Sequence, residues 1–408
     1  MDPTVLVVFT FVYAGMIVGE IPGLALDRTG VALLGAIALL AAGVVTPEAA
    51  WKAIDVPTMA LLFGLMVVSA QFRLGGFYGL VTRKLAAARV PPEAVLALLV
   101  AVAGALSAFL ANDIVCLAMA PILIEGCARR GLAPAPFLLA LACASNVGSA
   151  ATLIGNPQNM LIGEVLDLSF AGYLLDAVVP ALAGLVLVWW IVRVRTGGRW
   201  EVAAAGITIE SPPFNAWQSA KGLAVLAGLL LLFLFSPWPR DVAALAAAGI
   251  LLTSRRLASR EILGLVDWHL LVLFMGLFVV NHALADSGAV AGALAWMNQA
   301  GVALERPAWL FAATALLSNL VSNVPAVMLL LPAAGHPLSG PVLALASTLA
   351  GNLFIVGSIA NIIVVEQAGR LGVRIGWREH ARVGVPVTMA TLAVAALWLW
   401  IRAALAAG

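Results

Sequence analysis

The stretch Thr152-Leu153-Ile154-Gly155-Asn156-Pro157-Gln158-Asn159-Met160-Leu161-Ile162 places helix-breaking and amide residues inside an apolar run. At an offset of 202, Phe354-Ile355-Val356-Gly357-Ser358-Ile359-Ala360-Asn361-Ile362-Ile363-Val364 echoes it. A bilayer-spanning helix normally avoids such clusters, because freed backbone groups find no water at mid-depth. Two matched interruptions therefore point to a substrate site between two halves of a secondary transporter. Two more polar breaks, Asn112-Asp113 and Ser322-Asn323, interrupt other apolar stretches. Asn donates and accepts, so it can serve an oxyanion, an ion or a kinked backbone. Broken helices also turn half-helix N-termini toward anions and leave carbonyls for cations. The candidates for substrate or ion binding are Asn112, Asp113, Asn146, Gly155, Asn156, Asn159, Ser322, Asn323, Gly357, Ser358 and Asn361.

Asp113 is the one carboxylate at a predicted tip, and an ionisable group at membrane depth is a functional candidate by default. It would carry a coupling proton or help bind a cation; the plainer alternative is a cap on the following half-helix. Capping is likewise the plainer alternative for the asparagines. Asp55 and Asp267, at helix starts, are adequately explained as caps. His282, Asp286 and Glu366 read as interfacial residues, and the Trp residues near span ends (Trp189, Trp190, Trp238, Trp268, Trp398, Trp400) as interfacial belts.

The elements that must position these groups follow from composition. With 63% hydrophobic and 10% charged residues, and a mean hydropathy of +1.07, the chain is expected to be a multi-pass membrane protein in contact with lipid. Its first apolar run, after Met1-Asp2-Pro3-Thr4, reads as a membrane span rather than a removed signal. Spans are predicted over about 4–20, 29–46, 57–75, 137–163, 172–192, 217–235, 239–254, 267–285, 339–366 and 383–403. The stretches 93–127 and 307–333 are predicted as re-entrant hairpins. The fold class is thus all-α, with about ten transmembrane helices, two hairpins and two broken helices.

Basic residues group as Arg73, Arg83, Lys84 and Arg89; Arg129 and Arg130; Arg193, Arg195, Arg199 and Lys221; Arg255, Arg256 and Arg260; and Arg370, Arg374, Arg378 and Arg382. Together with Arg28 these are eighteen of the 22 basic residues, leaving Lys52, Arg240, Arg306 and Arg402 on the other side. The positive-inside rule makes the majority face cytoplasmic and puts both termini outside the cytoplasmic (inner) membrane.

The repeat extends beyond the broken motif. Asp55 and Gly64-Leu65-Met66-Val67-Val68 recur as Asp267 and Gly276-Leu277-Phe278-Val279-Val280 at an offset of 212, and Asn112 and Pro121 recur as Asn323 and Pro332 at 211. On the span map the copies run in opposite directions, which is an inverted repeat. The expected organisation is a first repeat over 1–195, a cytoplasmic linker over 196–220 containing Thr196-Gly197-Gly198 and Ser211-Pro212-Pro213, and a second repeat over 221–408.

Enzymatic and ATP-driven classes lack their motifs: the chain has no phosphate loop, no His-Glu-x-x-His and no Gly-x-Ser-x-Gly elbow. It is not expected to be an enzyme, to hold a metal or cofactor, or to bind nucleic acid. Cys116, Cys127 and Cys143 lie in apolar segments without metal-ligand spacing and read as packing residues, a thiolate role toward arsenic-like substrates being the sharper alternative.

Ser145-Asn146-Val147-Gly148-Ser149-Ala150-Ala151-Thr152-Leu153-Ile154-Gly155-Asn156-Pro157-Gln158-Asn159 resembles the ion transporter superfamily, closest to its arsenite permease and NhaD-type branch. Ala111-Asn112-Asp113-Ile114-Val115-Cys116, Ser318-Asn319-Leu320-Val321-Ser322-Asn323-Val324-Pro325 and Gly351-Asn352 through Asn361 carry the likeness further. The resemblance implies inverted repeats with re-entrant hairpins, a homodimer, and an elevator motion driven by H⁺ or Na⁺. Two departures bear on the cargo. The cation-antiporter branch typically has Gly-Asp-Pro-Pro-Asn where this chain has Gly155-Asn156-Pro157-Gln158-Asn159, which removes a hard ligand and a titrating group. Dicarboxylate symporters carry Ser-Asn-Thr at both tips, here Asn112-Asp113 and Ser322-Asn323-Val324. The expectation is a secondary active transporter of a small inorganic anion, arsenite-type efflux being one form of it, with Na⁺/H⁺ antiport and Na⁺-coupled carboxylate symport as alternatives.

Overall fold

The structure is a computed structural model. It describes residues 2–19, 23–202, 209 and 212–407, so Ser211 and part of the expected linker lie outside the described residues. Twenty α-helices are described, in two runs of ten. The first run is α1 (Pro3–Val18), α2 (Arg28–Ala41), α3 (Pro47–Ala53), α4 (Val56–Leu74), α5 (Phe77–Ala86), α6 (Pro92–Phe109), α7 (Asn112–Arg130), α8 (Pro134–Ser149), α9 (Pro157–Val165) and α10 (Phe170–Thr196). The second is α11 (Ala216–Phe235), α12 (Arg240–Leu252), α13 (Ser259–Leu263), α14 (Trp268–Asp286), α15 (Ala289–Gln299), α16 (Pro307–Val321), α17 (Asn323–Leu330), α18 (Ser339–Ala350), α19 (Ile359–Arg370) and α20 (Trp377–Ala407).

Helix for helix, the second run repeats the first. Asp55 Oδ1 accepts from the Thr58 amide at 2.8 Å and Asp267 Oδ1 from the Leu270 amide at 2.9 Å, so both aspartates cap as the sequence suggested. Among the described residues six helices are long and apolar enough to cross a membrane: α4, α6, α10, α11, α14 and α20. Five coincide with predicted spans. The sixth, α6, is the entering arm of the first hairpin, with α7 as its return; α16 and α17 form the second. The predicted spans 137–163 and 339–366 are each broken in two, as α8–α9 and α18–α19. Helix also takes more of the expected linker than its composition implied, since α10 runs through Thr196 and α11 starts at Ala216.

The two halves interlock. α12 packs on α4 and α2 on α14. A Cβ on Gly64 would lie 2.6 Å from the Ala244 carbonyl carbon, and one on Gly276 would lie 2.7 Å from that of Ala32. Glycine is required at both places because two helix backbones touch there. The outer surface carries exposed Leu175, Val186, Leu231, Phe235 and Trp400, apolar side chains suited to a lipid solvent.

Candidate binding site at the helix breaks

The hairpin tips meet the broken helices. The Asn112 amide at the first tip donates to the Gly155 carbonyl at 3.4 Å. At the second tip Ser322 has φ 75°, uncommon for a residue with a Cβ. Between the tips and breaks lies a cavity of about 30 Å³ lined by Asn112, Asp113, Pro157, Gln158, Leu270, Ser322, Asn323, Val324, Ser358 and Ile359. Asn112 and Asp113 open α7, Pro157 and Gln158 open α9, Asn323 and Val324 open α17, and Ser358 and Ile359 start α19. Four helix N-termini thus converge on one space. The first-turn N–H groups of a helix have no intrahelical acceptor, and each terminus carries roughly half a positive charge. Among the described residues no Lys, Arg or His lines the cavity, and Asp113 is its single charged side chain.

Behind this lining, buried amides tie the halves together in matched pairs. Ser358 Oγ donates to Asn146 Oδ1 at 2.8 Å. In the other half Asn156 Nδ2 donates to Thr348 Oγ1 at 3.2 Å, and at an offset of 202 these are the same pair with the roles of the halves exchanged. Asn159 Nδ2 donates to the Ser149 and Thr152 carbonyls at 3.4 and 2.9 Å while its oxygen accepts from Thr348 at 3.4 Å. Asn361 Nδ2 donates to the Gly351 and Phe354 carbonyls at 2.9 and 3.1 Å, and its oxygen accepts from Asn146 Nδ2 at 3.3 Å. Each asparagine therefore satisfies carbonyls freed by the break in its own helix, which at this depth have no water to turn to.

The sequence candidates divide accordingly. Asn112, Asp113, Ser322, Asn323 and Ser358 line the cavity. Asn146, Asn156, Asn159 and Asn361 stand behind it, hydrogen-bonded and buried. Gly155 and Gly357 let the chain double back: a Cβ on the first would strike the Ser149 carbonyl and one on the second would lie 3.1 Å from that of Gly351. Only Asn156 among the asparagines caps a half-helix, accepting from the Asn159 amide at 2.9 Å. Asp113 makes no capping bond. Asn112 Oδ1 is buried without a hydrogen-bond partner among the described residues.

Three contributors were not singled out from sequence. Gln158 lines the cavity, and with the Asn323 amide turned to satisfy both its ends, Gln158 Nε2 donates to it at 3.3 Å. Thr348 is the counterpart of Asn146, and extending the offset of 202 upstream would have found it. Asn352 accepts from Asn146 Nδ2 at 2.8 Å.

Further cavities border this one on one side. The cavity shares Asp113, Pro157 and Leu270 with a second of about 200 Å³ that also meets Asp267, Leu117 and Arg73. Arg73 and Leu117 in turn border a third, of about 270 Å³, reaching Gln367 and Arg370. The path leads to the face carrying Arg73 and Arg370.

Comparison with known proteins matches residues 5–341 to the citrate transporter family, CitMHS. An uncharacterized transporter of Mycobacterium tuberculosis is 30% identical over 403 residues, covering 92% of this chain and 94% of that protein. A silicon efflux transporter of Oryza sativa subsp. japonica is 28% identical over 459 residues, covering 92% and 93%. The inner membrane protein YbiR of Escherichia coli is 33% identical over 344 residues, covering 82% and 85%. Among solved structures, the Alcanivorax borkumensis YdaH transporter aligns with a TM-score of 0.58 at 16% identity, covering 98% of this chain and 96% of its own, a likeness of fold.

Proposed function

The chain belongs to the CitMHS citrate transporter family and is a membrane transporter, and from that premise we propose that it is a secondary active transporter of a small inorganic oxyacid or its anion, coupled to H⁺ or Na⁺. The convergence of four helix N-termini on a cavity with one carboxylate and no basic side chain carries this reading. The positive ends of converging helices favour oxygen-rich, electron-rich cargo. Without a guanidinium or ammonium, the site suits a cargo of little net charge better than a tricarboxylate, whose charges call for Arg or Lys partners. The unpartnered Asn112 oxygen and the Asp113 carboxylate add acceptors for a hydroxyl, as a partly protonated oxyacid would present. A volume of about 30 Å³ also favours a compact cargo. One relative is named a silicon efflux transporter, and an inorganic cargo agrees with it.

Asp113 is the coupling residue in this proposal. In this reading the halves are 1–195 and 221–408, related by inversion and joined by a cytoplasmic linker; the basic face is cytoplasmic, and the cavities reaching Arg73 and Arg370 support an inward-open arrangement. A second reading, Na⁺/H⁺ antiport, draws on the same carboxylate together with Asp267 in the adjoining cavity. Flux into proteoliposomes separates them. Arsenite or silicate should move with an imposed H⁺ or Na⁺ gradient; Na⁺ exchanging for H⁺ with no oxyacid present would overturn the first reading.

A further inference from the structure

One guanidinium clamps α12 to the end of the first broken helix. Arg240 Nε lies 2.9 Å from Glu164 Oε1, with both side chains nearly buried. Its two other nitrogens donate to the Leu168 and Gly163 carbonyls, both at 2.7 Å. Such a pair excludes water and, once made, is costly to break from one side only.

The repeat supplies the same two residues again. Arg28 is the first residue of α2 as Arg240 is the first of α12, at an offset of 212. Glu366 is the eighth residue of α19 as Glu164 is the eighth of α9, at an offset of 202. In the second setting the clamp is not made. Arg28 Nε donates instead to the Met16 carbonyl at 3.2 Å. Glu366 is held by Arg370 on its own helix, with the side chains 54% and 65% exposed, an arrangement that contributes little. The broken helices carry a matching difference. The frame is alike in both halves, as Gly64 on Ala244 and Gly276 on Ala32 attest, whereas α9 packs on α4 and α19 has no comparable packing on α14. The cavities reach Arg370, on the unclamped side.

We infer that Arg28 and Glu366 close the same clamp in the opposite state of the transport cycle, so that opening one clamp accompanies closing the other. The inference rests on the alternating-access part of the function proposed above. Since α19 runs a turn beyond α9, the second clamp is carried by the carboxylate rather than by the carbonyls of the following turn. An inverted repeat makes the two states equivalent by exchange of halves, so a contact present in one half and absent from the other marks the coordinate along which they interconvert.

The test uses the full chain in liposomes with Arg28→Cys and Glu366→Cys introduced together. Cys116, Cys127 and Cys143 are buried, and the unsubstituted chain gives the background. A short bismaleimide should link positions 28 and 366 in a minority of molecules. Adding Glu164→Gln, which preserves shape while removing the charge of the first clamp, should raise the yield by about tenfold, the shift that losing part of a buried pair produces. Arg240→Ala should do the same. If Arg240→Ala does not fold, Glu164→Gln decides alone. No link, or a yield that Glu164→Gln leaves unchanged, overturns the inference. Crosslinking reads geometry and not flux, so coupled yields in a chain that carries no oxyacid would sink the cargo and keep the clamp, and flux with uncoupled yields would do the reverse.

Discussion

Asn159 and Asn361, 202 positions apart, do the same work in opposite halves: each holds two carbonyls of its own broken helix and accepts a hydrogen bond from the other half. The breaks that form the cavity are therefore stabilised across the interface between halves, and each break needs the other half to be complete.

Asn361→Ala should strand the Gly351 and Phe354 carbonyls in a dry interior. Each unsatisfied buried group costs about 1–3 kcal/mol, so thermal unfolding in detergent should fall by several degrees, and Asn159→Ala should behave alike. An unchanged melting temperature in both would show that these amides are not structural ties.

Asn146 meets Ser358, Asn352, Asn361 and Asn112. Asn146→Leu, of similar volume but without polar atoms, should lower stability more than either substitution above and abolish transport. Retained flux at wild-type rate would remove Asn146 from the account.

Asp113→Asn keeps the shape of the cavity lining and removes its one charge. Binding of oxyacid should survive in part, measured by protection against thermal unfolding, while dependence of flux on the H⁺ or Na⁺ gradient is lost. Unaltered pH and Na⁺ dependence would rule Asp113 out as the coupling group.

Gly64→Ala and Gly276→Ala each drive a methyl into a facing backbone, where overpacking typically costs about 1–3 kcal/mol. Gly228→Ala, with nothing within 4 Å of the added carbon, should be neutral or slightly stabilising in the same helix-rich chain. Equal melting temperatures for all three would contradict the close approach of α4 to α12 and of α14 to α2.

Much of the fold was legible because its signals are local or periodic. Long apolar runs, Asp55 and Asp267 before proline or a capped turn, and constant offsets between halves mark helices and their duplication directly. The tips at Asn112 and Asn323 and the breaks at Gly155 and Gly357 were legible for the same reason, since polar residues stand out in an apolar run. Which of those residues face the cavity was not legible. Asn159 and Ser358 belong to the same echoed motif, yet Asn159 turns back to its own helix's carbonyls while Ser358 borders the cavity.

The sequence by itself determined that this is a duplicated, all-helical membrane transporter with polar interruptions at matched places, because the bilayer forces the composition and the repeat copies the pattern. Only the tertiary structure decided that four helix N-termini share one space, that Gln158 lines it, and that the Arg240–Glu164 clamp is made while Arg28 and Glu366 stand apart. Those facts depend on how two chemically similar halves pack against each other, and equal motifs in sequence leave open which half is engaged.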